Sequence, residues 1–339
     1  MTVVALGELL LRLKAPGAGR LLQEGSLDAS FGGAEFNVLA LLSRLQLPTE
    51  YVTVLPGNAI GDAALGEIRR QGVGTRYLQR SDGRMGFYFL EGGAGLRSAR
   101  VEYDRAASSF ALLQPASFDW PAILAGAHWL HLTGITAALG AGPVTAMTAA
   151  ARAARILGIP VSLDVNWRQQ LWRDASQRSF ELFAPLLDCC RMVFAGVHER
   201  QVCLGDDRCG DADAERGFPA FAGLLLERHA HLQSVVSTLR SSRSAEDQTL
   251  GAICLDRATG ATRAVSLHIP HTVDRIGTGD AFVAGCMFGV LADWTWQRTL
   301  EFAVAAAALK HSIPGDVALI SREDIESLMA GDAIGRVVR

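Results

Sequence analysis

Lysine is almost missing from this chain. Of its 32 basic residues only Lys14 and Lys310 are lysines, so no GxxxxGK[ST] phosphate loop exists and any nucleotide must be held in another way. The six cysteines, at 189, 190, 203, 209, 254 and 286, contain no CxxC pair. That spacing supports neither a zinc ribbon nor a disulfide framework and predicts free thiols in a reducing cytoplasm. The eight histidines do not cluster, and His198-Glu199 is not followed by a second histidine at position 202, so a histidine metal site is not expected. No uncharged apolar stretch reaches membrane-spanning length, and Met1 to Glu8 carries no basic leader, so neither a membrane segment nor a signal peptide is expected. With a net charge of only −3, nothing global points to nucleic acid or an anionic membrane as a partner. Internal repeats and low-complexity tracts are also absent.

What is present suits a globular protein of 339 residues, 49% hydrophobic and 20% charged, with ample apolar material for a large core. The most informative stretch is Thr272-Val273-Asp274-Arg275-Ile276-Gly277-Thr278-Gly279-Asp280-Ala281-Phe282, followed by the apolar run Val283 to Leu291. Two glycines around a threonine predict a tight turn that delivers Asp280 to the start of a buried helix. Backbone N–H groups there have no intrahelical acceptor, and the helix dipole is positive, so the turn suits a phosphoryl group. A carboxylate beside that anion can take a proton from a substrate hydroxyl. The same residues also suit a plain N-cap and turn.

Elsewhere strands and helices alternate. Val3 to Leu6, Tyr51 to Leu55, Trp129 to Leu132, Val161 to Asp164, Met192 to Ala195 and Val235 to Thr238 read as strands. The segments Val38 to Leu45, Ala63 to Gln71, Gly142 to Leu157 and Glu301 to Leu309 read as helices. Such alternation predicts a parallel sheet covered by helices. Arg84 to Arg105 breaks the pattern and reads as a hairpin that places Tyr88, Tyr103 and Arg105 on one face, or as aromatic cross-strand pairs. Gly251 to Leu255 and Thr262 to Leu267 form a second antiparallel pair. Asp164, Asn166 and Arg168 alternate at a strand's C-terminal end, where open α/β sheets place ligands. Arg168 is therefore a candidate grip for a carboxylate, with a structural ion pair as the alternative. A nicotinamide dehydrogenase is disfavoured, since the first strand runs into Leu6-Gly7-Glu8-Leu9 with no GxGxxG.

Three segments in order resemble one family. Gly32-Gly33-Ala34-Glu35-Phe36-Asn37, the Asp274 to Asp280 stretch, and Lys310-His311-Ser312-Ile313-Pro314-Gly315-Asp316 resemble signatures of the ribokinase-like (PfkB) carbohydrate kinases, in the form typical of the 2-keto-3-deoxygluconate kinase branch. That family usually has alanine or glycine where this chain has Thr278, and an Asn-x-x-Glu element where it has Gly196-Val197-His198-Glu199. The resemblance implies a single kinase domain over residues 1–339: a three-layer α/β/α ribokinase-like sandwich with a small β-sheet lid inserted at about 9–31 and 84–108. It implies transfer of the γ-phosphoryl group of ATP to the terminal hydroxyl of 2-keto-3-deoxygluconate, giving the 6-phosphate. Asp280 would be the base and Gly277, Thr278, Gly279 and Arg105 would stabilise the phosphoryl charge. Gly33, Asn37, Tyr88, Tyr103 and Arg168 would bind the sugar acid, and Thr238, Arg240, Gly279 and His311 the nucleotide, with a helix C-cap meeting the dipole as the alternative for His311. Magnesium is implied, with Glu199 acting through water, as is a monovalent cation such as K+ near Asp274. Lids in this family often dimerise, which implies a homo-oligomer. A kinase of a neutral sugar such as fructose, and a catalytically silent sugar-acid sensor, are the alternatives.

Overall fold

The computed structural model describes residues 1–168, 171, 179–206 and 214–331. Its strands in chain order are β1 (Thr2–Leu6), β2 (Leu10–Lys14), β3 (Asp28–Gly32), β4 (Thr49–Pro56), β5 (Leu78–Ser81), β6 (Gly86–Glu91), β7 (Arg100–Asp104), β8 (Ala127–Thr133), β9 (Val161–Asp164), β10 (Met192–Phe194), β11 (Ser234–Ser242), β12 (Gln248–Asp256) and β13 (Gly260–Ile269). Nine of them form one sheet in the order β13-β12-β11-β10-β9-β8-β1-β4-β5, and four form a second in the order β3-β2-β6-β7.

Strands β5, β4, β1, β8, β9, β10 and β11 run parallel. Their short apolar runs, such as Val3 to Leu6 with every residue buried, are what a sheet covered on both faces requires. One hydrophobic cluster fills each face. The first packs the helices Ala34–Arg44, Thr278–Leu291 and Trp296–Lys310, and the second packs Ala141–Ile156 and Ala214–Arg228. This is the ribokinase-like α/β architecture.

Small residues set the depth of the helix that carries Asp280. A Cβ at Gly285 would press on the backbone of Ala303, and one at Gly289 on the Thr299 side chain. The glycines of Thr278–Leu291 and the alanines of Trp296–Lys310 therefore let two helices touch closely, which accounts for the alanine-rich sequence. The result is a helix buried nearly all round, with its N-terminus at the C-terminal edge of the large sheet.

Strand β1 lies between β4 and β8, so the chain winds outward in both directions from it. Such a reversal leaves a crevice beyond the strand's C-terminal end. Gly7 and Glu8 leave β1 at that point and lead directly into β2 of the small sheet, which stands over the crevice.

Three local readings of the sequence are corrected. Strand β9 stops at Asp164, and Asn166 takes a left-handed φ of 42°. The Asn166 N–H and Nδ2 lie 3.2 and 3.3 Å from the Asp164 carboxylate. A turn, not a pleat, therefore sets the direction of Arg168. Strand β11 continues through Arg240 to Ser242, because β12 pairs with it as far as Gln248. The helix expected from Ala63 begins at Ala59, where the Asn58 side chain accepts the N–H groups of Ile60 and Gly61. Trp172 and Cys209 lie outside the described residues. Among those described, Cys189, Cys190, Cys203, Cys254 and Cys286 are free thiols, and no helix is long and apolar enough to cross a membrane.

Candidate active site

The turn before Thr278 is built for close approach. Gly277 caps the helix with φ of 79°, and a Cβ there would collide with the Asp316 carbonyl oxygen. Only glycine fits both constraints. Asp274 holds the turn from below: its Oδ1 accepts the Ile276 N–H at 3.0 Å and its Oδ2 the Gly315 N–H at 3.1 Å. The Thr278 hydroxyl donates to the Arg275 carbonyl at 2.9 Å and accepts from Arg240 Nη2 at 3.3 Å. The threonine thus turns its hydroxyl into the loop and leaves the first-turn N–H groups of Gly279 and Asp280 without intrahelical acceptors.

Asp280 is buried, and its Oδ2 accepts from Asn37 Nδ2 at 2.6 Å. Burial pushes its pKa up to about 6; the Asn37 bond opposes that and the nearby Asp316 charge adds to it. Asn37 reaches Asp280 because its helix starts tightly at Gly32-Gly33. A Cβ at Gly32 would strike the Asp316 carboxylate, and one at Gly33 the Glu8 carbonyl. The glycine pair therefore joins β1, the small sheet and the Asp280 turn within one contact radius.

Between the two sheets lies a cleft of about 960 Å³, at the upper end of the size range for small-molecule sites. Gly33, Asn37, Tyr88, Tyr103, Arg105, Arg168, Glu199, Thr238, Arg240 and Gly277 to Asp280 all line it. Tyr88 and Tyr103 are cross-strand partners with ring centroids 6.0 Å apart. The Tyr88 hydroxyl lies 2.7 and 2.8 Å from the two Asp316 carboxylate oxygens. Arg105 is buried beside Glu8, with Nε at 2.8 Å and Nη2 at 2.6 Å from Oε2, while its buried Nη1 has no partner among the described residues.

Among the described residues Arg168, Arg240 and Arg275 line the cleft without an ion pair, and burial together with Arg275 and Arg168 lowers the Arg240 pKa to about 10. Guanidinium groups that repel one another across a cleft are suited to an anionic ligand. Facing them, burial and then the Asp280 charge push Asp164 up to about 7, and burial raises Glu199, whose Oε2 accepts the Gly196 N–H at 2.9 Å. Among the described residues no group of three or more His, Cys, Asp or Glu side chains forms a metal cage.

Two predicted site residues do not reach the cleft. His311 is fully buried; its Nδ1 lies 2.7 Å from the Ala307 carbonyl, and its own carbonyl accepts the N–H groups of Val273 and Asp274 at 2.7 and 3.1 Å. Burial lowers its pKa to about 4, which keeps the ring neutral, and the residue stands behind the turn, outside the cleft lining. Asp274 also lies behind the turn, where it pairs with Arg12. Nothing local in the sequence marks Arg12, Glu8 or Asp316 for these buried pairings. Arg12 lies on β2 and forms buried ion pairs with both Asp274 and Asp316.

The sequence pattern of the pfkB family carbohydrate kinases matches residues 2–320. This chain belongs to that family. The kinase is 28% identical over 338 residues to a 2-dehydro-3-deoxygalactonokinase of Haloferax volcanii, covering 98% of each chain. It is 24% identical over 334 residues to a 2-dehydro-3-deoxygluconokinase of Bacillus subtilis, covering 97% of this chain and 96% of that one. A solved structure of 2-dehydro-3-deoxygluconokinase from Thermotoga maritima superposes with a TM-score of 0.91 at 36% identity, over 98% of this chain and all of that one. As a family member the protein is a phosphotransferase, and the cleft described above is where its residues converge.

Proposed function

We propose that this kinase transfers the γ-phosphoryl group of ATP to the terminal hydroxyl of 2-keto-3-deoxygluconate, yielding 2-keto-3-deoxy-6-phosphogluconate and ADP. The observation that carries the reading is Asp280, a buried carboxylate at a helix N-terminus, in a cleft also lined by Arg168, Arg240 and Arg275, none of them in an ion pair among the described residues. Asp280 accepts the hydroxyl proton as the sugar oxygen bonds to the γ-phosphorus and the bond to the β–γ bridging oxygen breaks. First-turn N–H groups at Gly279 and Asp280, with Gly277 holding the turn open, stabilise the charge on the equatorial oxygens. Arg240 and Thr238 lie on the nucleotide side, Arg168 grips the substrate carboxylate, and Arg105 stabilises charge on the transferred phosphoryl group. Gly33, Tyr88, Tyr103 and Asn37 shape the sugar pocket.

Asp164 and Glu199 fit magnesium held mainly by nucleotide phosphates and water, which needs no protein cage. Bound there, the ion would neutralise phosphate charge. The small sheet acts as a lid that excludes water, and copies pair through it; Leu96, 98% exposed between β6 and β7, supports that pairing, which light scattering tests. Free thiols and an ATP requirement fit a cytoplasmic setting.

The similarity to a galactonate-type kinase favours a second reading, in which the C4 epimer, 2-keto-3-deoxygalactonate, is the better substrate. ADP release measured with both epimers, fructose and gluconate separates the possibilities. Higher kcat/KM on either keto-deoxy acid than on fructose supports the sugar-acid reading. Turnover of fructose alone refutes it, and silence on every sugar leaves a sensor.

A further inference from the structure

Lys310 is one of two lysines in the chain, and its side chain is 0% exposed. Its Nζ lies 2.9 Å from the Ile313 carbonyl, in the seam where the turn 310–316 is stitched to residues 273–277. The stitches are the two N–H groups donated to the His311 carbonyl, the Gly315 N–H donated to Asp274, and the contact of Gly277 with the Asp316 carbonyl. Burial lowers the Lys310 pKa to about 8; Asp274 and Asp316 oppose that most strongly, Arg12 adds to it, and Asp280 opposes it.

This seam is where the family resemblance implies a free monovalent cation, and the residues present do not fit one. Both Asp274 oxygens are engaged, one by Ile276 and the other by Arg12 and Gly315. Arg12 and Lys310 already balance Asp274 and Asp316, the Asp316 oxygens are taken by Arg12 and Tyr88, and the next acid, Asp280, lines the cleft and is bound by Asn37, so no carboxylate oxygen behind the turn is left for a further cation. An ammonium group matches K+ in charge and closely in size, and donates to the same kind of carbonyl oxygen that K+ would bind.

We propose that the Lys310 ammonium is a tethered monovalent cation behind the phosphoryl-binding turn, which makes this kinase independent of added K+. Lys310 is thus a positioning residue: it holds the turns 273–277 and 310–316 together and touches no substrate. The inference rests on the kinase reading only for its activity readout.

The test compares KCl with tetramethylammonium chloride at equal ionic strength, reading ADP release and thermal midpoint for the wild type and for Lys310→Met. The wild type is expected to show the same rate and the same midpoint in both salts. In Lys310→Met, kcat should fall by about tenfold or more in tetramethylammonium, and KCl or NH4Cl should restore much of the rate and raise the midpoint through binding to the vacated site. A merely structural lysine would give no cation-specific rescue. Saturable activation or stabilisation of the wild type by K+ overturns the proposal, as does full activity of Lys310→Met without K+. If the variant does not fold, the wild-type midpoints still decide. If no sugar is turned over in either salt, the substrate reading fails while a K+-insensitive wild-type midpoint upholds the cation inference.

Discussion

Replacing Asp280 with asparagine should cripple the enzyme and stabilise the protein. Burial raises this carboxyl from its ordinary 3.8 to about 6, and each tenfold change in proton affinity corresponds to about 1.4 kcal/mol. The native state therefore gives up on the order of 3 kcal/mol by holding Asp280 ionised in the folded state. The sign follows from proton counts. Between pH 3.8 and about 6 the folded chain holds more of this proton than the unfolded chain, so the penalty grows as pH rises through that window and is complete above it. Asparagine does not titrate, and by turning its amide it keeps an acceptor toward Asn37 Nδ2. Asp280→Asn should thus gain on the order of 3 kcal/mol at pH 8, about 4 °C in midpoint for a chain of this size, and lose that advantage below about pH 4. Loss of the base should lower kcat by about 10²–10⁴-fold, and wild-type kcat/KM should fall below about pH 6 as Asp280 protonates. Thermal denaturation of both proteins at pH 8 and pH 4, beside steady-state kinetics from pH 5 to 9, reads all of this. A variant less stable than the wild type at pH 8 refutes the burial argument. One within about tenfold of wild-type kcat refutes the assignment of Asp280 as base.

Three further substitutions probe separate parts of the site. Gly277→Ala must leave the φ of 79° and push away the Asp316 carbonyl, so kcat should drop about 10²-fold or more with an unchanged far-UV circular dichroism spectrum; near-normal kinetics would show that the turn does not hold the phosphoryl group. Arg12→Met strands Asp274 and Asp316 without their buried partner and should cost about 3–5 kcal/mol in urea denaturation, whereas a neutral effect would mean that Lys310 alone balances the cluster. Arg168→Ala removes a charge-assisted grip worth about 1.5–3 kcal/mol, so KM for the keto-deoxy acid should rise about 10- to 100-fold while any weak activity on fructose stays unchanged. Equal losses on both substrates would place Arg168 on the phosphates.

How far the chain could be read from its sequence depended on how locally each feature is encoded. Gly32-Gly33 and Gly277-Thr278-Gly279-Asp280 are short segments whose chemistry is set by backbone freedom and by the start of the helix that follows, so turn, helix and candidate base are all visible in a few residues. Periodicity likewise exposed the parallel strands and the hairpin 84–105. Pairing partners are encoded elsewhere. Arg12 lies 262 and 304 residues from Asp274 and Asp316, and nothing near β2 marks it as more than an alternating strand residue. The local apolar pattern ends the strand at Thr238, but β12 supplies the partner that extends it through Arg240. His311 looked like a ligand contact because it stands in a recognisable segment, although its carbonyl, which any residue could provide, is the group that braces Val273 and Asp274. The same long-range pairing gives the small sheet its place over the cleft. Arg12 and Tyr88 both belong to that sheet, and both bind Asp316, whose backbone supports Gly277. Any tilt of the sheet away from the cleft must therefore either break a buried ion pair or carry the phosphoryl-binding turn with it. The position of the sheet and the shape of the turn are consequently one equilibrium, set by charges that no local pattern in the sequence displays.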